Sequence, residues 1–158
     1  MHNTKIDISK DVREKMVEIL NARLADSMDL KSQAKHAHWN VKGMNFIALH
    51  ELFDQVATET EAYSDMLAER VTTLGGTAEG TVRVAAENSS LSQYPLEISE
   101  GADHVDALSS ALSEFAKNAR ENVDQADEAG DMITADLFTE IVRGTDKLLW
   151  FVEAHSQS

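Results

Sequence analysis

Apolar positions recur along most of this chain at alternating steps of three and four, the spacing of one face of an α-helix. Phe46, Leu49, Phe53, Val56, Thr60, Tyr63, Leu67, Val71 and Leu74 form the longest such run and predict a single helix over 46–74. A first helix is expected from Asp11 to about His38, opened by the capping pattern Asp11-x-x-Glu14, with Val12, Met16, Leu20, Leu24, Leu30 and Ala34 inward. A third, from about Ala102 to Ala129, carries Val105, Leu108, Leu112, Phe115, Ala119 and Val123. Gly130 should stop it, and Asp131 should cap a fourth helix running to about Ala154 that buries Phe138, Ile141, Leu148 and Val152.

Connection lengths order these helices. The links around Gly43 and Gly130 are short and make antiparallel neighbours, whereas residues 75–99 hold Gly75-Gly76, Gly80, Asn88-Ser89-Ser90 and Pro95, with a short helix expected at Val82–Asn88. A link of about 25 residues inside a domain must cross something. Short, long, short is the order of a ferritin-like four-helix bundle with one long crossover, an all-α fold. The expected layout is a short tail over 1–10, one bundle domain over 11–155 and a C-terminal tail over 156–158.

Composition narrows the function. The chain has 158 residues, no Cys, and 28 acidic against 14 basic residues, for a formal net charge of −14. The absence of Cys excludes disulfides and thiolate ligands and suits a reducing cytoplasm. No basic-then-apolar leader and no long apolar run appears, so neither a signal peptide nor a membrane span is expected. An acidic surface repels phosphate backbones and attracts cations.

The polar face of the second helix carries the candidate chemistry. At about 100° per residue, His50, Asp54, Glu61, Asp65 and Glu69 share a sector about 100° wide beside the apolar seam. Such a stripe can be a plain solvated face, but this one holds no Lys or Arg, and Ile47, Ala57 and Ala68 beside it leave room for a second helix. His38 supplies another imidazole just before the turn. His50 and Asp65 lie about 22 Å apart along the axis at about 1.5 Å per residue, too far for one metal ion. Two copies packed antiparallel about Glu59 and Thr60 would set His50 and Asp54 of one opposite Asp65 and Glu69 of the other. If the stripe binds metal, it does so across a two-fold dimer. The usual Glu-x-x-His pairs of an intra-bundle di-metal site are absent.

The segments His38-Trp39-Asn40-Val41-x-Gly43-x-Asn45-Phe46-x-x-Leu49-His50-Glu51-x-x-Asp54 and Asp65-x-x-Ala68-Glu69-Arg70-x-x-x-Leu74-Gly75-Gly76 resemble the Dps mini-ferritins. Tyr94-Pro95-Leu96 and Asp146-Lys147-x-Leu149-Trp150-Phe151 extend the likeness over roughly residues 16–154. The resemblance implies a hollow homo-dodecamer that oxidises Fe(II), with hydrogen peroxide or dioxygen, and stores ferric mineral. It implies catalytic metal ligands His38, His50 and Asp54 from one subunit and Asp65 and Glu69 from its partner, with Trp39 beside the centre. Zinc is expected as a competing occupant. Asp127, Asp131 and Asp136 match the segment lining the family's three-fold pores, and Met132 stands where Asp is frequent.

His36, two residues from His38, is expected at the surface or an interface rather than as a ligand, and Trp150 in the core or an interface. His2, His104 and His155 have no partner at ligand spacing, and His2 falls on the expected tail. DNA binding is expected to be weak or absent. The first ten residues offer only Lys5 and Lys10 against Asp7, the C-terminus has no basic residue, and twelve copies would carry a formal charge of about −170. The competing class is a nucleoid protein that compacts DNA, with an incidental metal site.

Overall fold

The structure is a computed structural model and describes residues 1–157. Ser158, the last residue of the expected 156–158 tail, lies outside the described residues. Five helices follow in order: α1 Lys10–Asn40, α2 Phe46–Thr73, α3 Val82–Asn88, α4 Gly101–Glu128 and α5 Met132–Glu153. No strand forms among the described residues beyond a single parallel bridge between Lys42 and Glu100.

The helices start and stop where backbone chemistry dictates. Ser9, not the expected Asp11, caps α1, its hydroxyl accepting from Val12 N–H at 3.4 Å. Asp11 falls instead in the first turn, where its charge faces the positive end of the helix dipole. Gly75 takes the left-handed conformation (φ +86°) that ends α2 and lets Gly76 N–H reach back to Val71 C=O at 2.9 Å. A Cβ on Gly75 would lie 2.6 Å from the His2 carbonyl, and His2 N–H donates to Gly75 C=O at 2.6 Å. The N-terminal tail is therefore fastened to the end of α2.

Asp131 joins the last two helices. Its N–H closes α4 on Ala126 C=O at 3.0 Å, and its carboxylate opens α5 by accepting from Thr134 N–H at 3.0 Å.

α1 packs along α2 and α4 along α5, and the two pairs meet through α1 with α4 and α2 with α5. Phe53, Phe115, Phe138, Met16, Leu108 and Ile141 fill the space between them and are fully buried. The crossover is pinned to the outside of α1. Ser90 donates from its amide (2.7 Å) and hydroxyl (3.0 Å) to the buried Asp26, whose charge pairs with Arg23. Ser89 Oγ donates to Asp29 at 2.7 Å, and Gln33 Nε2 to Ser92 C=O at 3.1 Å. At its far end Lys42 N–H donates to Ser99 C=O at 2.8 Å, holding the α1–α2 turn against the start of α4.

Candidate metal centre

His38 leaves the last turn of α1, and His50 sits in the second turn of α2. The turn between them, with Gly43 at φ +108°, folds the two helices together until the rings stack, 3.7 Å apart and 22° from parallel. Each ring bonds to the other residue's backbone. His38 Nδ1 lies 2.7 Å from His50 C=O, and His50 Nδ1 lies 2.8 Å from His38 C=O. A carbonyl only accepts, so both Nδ1 atoms must donate. In the neutral rings this leaves both Nε2 lone pairs free, the state in which imidazole ligates a metal.

Asp54 follows His50 by one turn and lies at the same end of α2. Lys35 of α1 reaches it, with Nζ 2.6 Å from Oδ1. That hydrogen bond and the ammonium charge hold the Asp54 carboxyl below the ordinary carboxylate range, against a smaller opposing effect of desolvation. One rung further on, Lys31 makes the same contact with Glu61 at 2.5 Å. Asp65 and Glu69 are exposed, and neither makes an ion pair among the described residues.

The expected ligands are thus sorted into two groups, His50 and Asp54 of α2 with His38 of α1 at one end and Asp65 and Glu69 at the other. His50 and Asp65 lie on one unbroken helix, so they stay about 22 Å apart. Among the described residues no three His, Asp or Glu side chains of this chain gather closely enough to cage an ion. Between and beside the clusters runs an open groove of about 820 Å³, floored by Leu24, Met28, Ala62 and Ala68 and flanked by Trp39, Lys35 and Asp65. Trp39 is 69% exposed.

Asp127 and Asp136 are exposed, as a pore lining requires. Asp131 is not. It is 2% exposed, and its carboxylate is taken by Thr134 N–H and Oγ1 and by Arg70 Nη2 at 2.9 Å. Capping α5 turns this side chain inward, which corrects its expected place in the pore. Burial would raise its pKa, but the Thr134 hydrogen bonds and the Arg70 charge outweigh that and lower it. Met132 and Ile133 beside it are exposed.

The remaining histidines stand apart from the centre. His104 is fully buried, with Nδ1 2.8 Å from the Tyr94 hydroxyl. Desolvation lowers its pKa, with the neighbouring His36 acting in the same direction. His36 is half-buried, edge-on to the Tyr94 ring at 5.4 Å, and so belongs to the packing of the crossover. Trp150 is 60% exposed, which removes it from the core. Sequence reasoning missed Lys35. Its signal was its position three residues before His38, on the same side of α1.

The arrangement is that of a four-helix bundle carrying imidazole and carboxylate side chains on an outer face. A family profile for the ferritin-like domain matches residues 17–158. The DNA protection during starvation protein of Agrobacterium fabrum (strain C58) is 45% identical over 156 residues, covering 99% of this chain and 96% of that one. The protein of the same name from Brevibacillus brevis is 34% identical, covering 90% and 95%. Dps from Microbacterium arborescens in the high iron form superposes with a TM-score of 0.87 at 33% identity over 93% of this chain and 95% of that one. The tetragonal form of Mycobacterium smegmatis Dps gives 0.94 at 29% identity over 99% and 96%. The chain belongs to the ferritin-like family and, within it, to the Dps mini-ferritins.

Proposed function

We propose that this chain is the subunit of a hollow dodecamer that oxidises Fe(II) at centres shared between subunits, stores the ferric product in its cavity and thereby protects the cytoplasm from oxidative stress. Each centre combines His38, His50 and Asp54 of one protomer with Asp65 and Glu69 of the partner subunit. The observation that carries this reading is the reciprocal His38–His50 pair. It commits both Nδ1 atoms to the backbone and leaves both Nε2 atoms for a metal. The open groove beside it and the unpaired carboxylates of Asp65 and Glu69 at the other end of α2 are what a second copy would complete.

The donor set suits Fe(II), since imidazole and carboxylate bind it and no thiolate competes. Zinc fits the same donors without redox turnover and acts as an inhibitor. Two Fe(II) held together each give one electron to hydrogen peroxide. The O–O bond breaks, two protons are taken up, and two waters and two Fe(III) result. A lone Fe(II) supplies a single electron and releases hydroxyl radical. Fe(II) reaches the cavity through acidic pores to which Asp127 and Asp136 contribute. The test is Fe(II) loading under anaerobic conditions followed by hydrogen peroxide or air. In the wild type, ferric absorbance should grow faster than in a protein-free control, and faster with peroxide. After His50→Ala it should grow only at the protein-free rate.

The competing DNA-compacting reading has little to stand on. Lys10 is paired with Glu14, the N-terminal segment is fastened at Gly75, and the chain's net charge is −14. Plasmid nicking by iron and peroxide, run beside a gel-shift at low salt with and without Mg²⁺, separates the two. The wild type should protect plasmid that it does not bind, and the Asp65→Ala/Glu69→Ala cage should not. Protection confined to conditions of binding would replace oxidation with physical shielding.

A further inference from the structure

We infer that His104 is an acid-sensitive latch for the end of the crossover: while its ring is neutral it holds Tyr94 against α4, and in acid it takes a proton and releases residues 91–99 from the bundle.

His104 is fully buried on α4, and Tyr94, 7% exposed, reaches it from the crossover with its hydroxyl 2.8 Å from Nδ1. The two rings lie 6.0 Å apart and 19° from parallel. His104 Nε2 is buried as well, and no hydrogen-bond partner meets it. A neutral imidazole suits this pocket, because Nδ1 can accept the Tyr94 hydroxyl proton. A protonated ring donates from both nitrogens. The Tyr94 O–H would then have to turn away, and Nε2–H would still find no acceptor. A buried charge left without partners costs far more than the neutral ring.

The surroundings bear on that charge from each side. Desolvation opposes it most, and His36 of α1, edge-on to Tyr94 at 5.4 Å, opposes a second positive group. Asp103 of α4 and the Ile98 carbonyl of the crossover favour it, but less strongly, so the ring's pKa falls below the ordinary 6.5. From α2 comes only the Phe53 ring, 6.4 Å away, and among the described residues no titratable group of α2 or α5 acts on His104. Once the segment opens, the ring meets water and recovers its ordinary affinity for a proton. Opening is therefore favoured progressively as pH falls below 6.5, until the folded pKa is reached.

Two amides report whether the segment is seated. Ser92 N–H donates to Glu114 at 3.1 Å, and Lys42 N–H donates to Ser99 C=O at 2.8 Å, tying the α1–α2 turn to the crossover.

The experiment is hydrogen exchange of the assembled protein at pH 7 and pH 5, read by mass spectrometry and corrected for the intrinsic pH dependence of exchange. In the wild type, protection of peptides containing Lys42 and Ser92 should fall about tenfold, while α5 keeps its protection. His104→Gln and His104→Phe cannot take the proton, and each should show the same protection at both pH values. Either variant suffices if the other fails to assemble. His36→Gln should keep the fall, since losing that neighbour makes His104 easier to charge. Wild-type protection that does not change with pH would overturn the inference, as would a parallel fall in the His104 variants. Loss of the fall in His36→Gln would assign the effect to the wrong histidine, and an equal fall in α5 would mark general acid loosening; either result also overturns it.

Discussion

His38 and His50 hold each other through the backbone, each ring donating from Nδ1 to the other's carbonyl, at 2.7 and 2.8 Å. Twelve residues separate them in sequence, yet the contact fixes the orientation, the tautomer and the spacing of both rings before any metal arrives. Such outer hydrogen bonds commonly set the affinity of a metal ligand. In the metal-free protein above the imidazole pKa, nitrogen NMR of the ring atoms should therefore show both residues as the Nδ1–H tautomer. An Nε2–H tautomer at either position would contradict the geometry.

Tyr63 and Gly144 set the distance between α2 and α5. A Cβ at Gly144 would fall 2.0 Å from the Tyr63 hydroxyl and 3.0 Å from the ring carbon bearing it. Alanine favours a helix over glycine by about 1 kcal/mol, but forcing a methyl group into packed space costs about 1–3 kcal/mol. Gly144→Ala should therefore fail to stabilise and is expected to lower thermal stability. Tyr63→Phe in the same chain, by removing the hydroxyl, should restore much of the loss. A stabilised Gly144→Ala single variant in a melting experiment would show that the helices have slack here.

Asp131 links the start of α5 to α2 through Arg70. Its folded pKa lies below the ordinary value of 3.8. A depressed carboxylate contributes stability that is present above the unfolded pKa and is lost as pH falls through the folded one. Asp131→Asn, which leaves Arg70 without its charge partner, should cost about 3 kcal/mol near neutral pH. The penalty relative to wild type should shrink as pH drops below about 3.8. Denaturant unfolding at neutral and acid pH measures it, and a penalty independent of pH would assign the effect to packing alone.

The helices were legible in the chain because their apolar spacing survives any tertiary context. The short helix Val82–Asn88 and the Asp131 cap followed from turn chemistry. The α1 cap was not legible: Ser9 and Asp11 both suit an N-terminus, and only the backbone path distinguishes them. The sector of α2 could be drawn from residue number alone, since a straight helix fixes it. What the spacing could not reveal was which carboxylates are free. Lys31 and Lys35 come from another helix, so their capture of Glu61 and Asp54 depends on how α1 lies against α2. Asp131 misled for a related reason. A cap and a pore residue look alike in sequence, and Arg70, the partner that draws Asp131 inward, lies 61 positions away.

The central claim, that each centre takes ligands from two subunits, is tested most directly by mixing two inactive proteins. His50→Ala and Asp65→Ala should each slow Fe(II) oxidation to the protein-free rate as homogeneous assemblies. Co-assembled from unfolded or co-expressed chains, they form mixed dimers in which one of the two centres keeps all its ligands and the other loses two. The rate of ferric absorbance growth after peroxide addition, above the protein-free rate, should then recover to a clear fraction of wild type. Confirmed mixed assemblies that stay as inactive as either parent would contradict a shared centre.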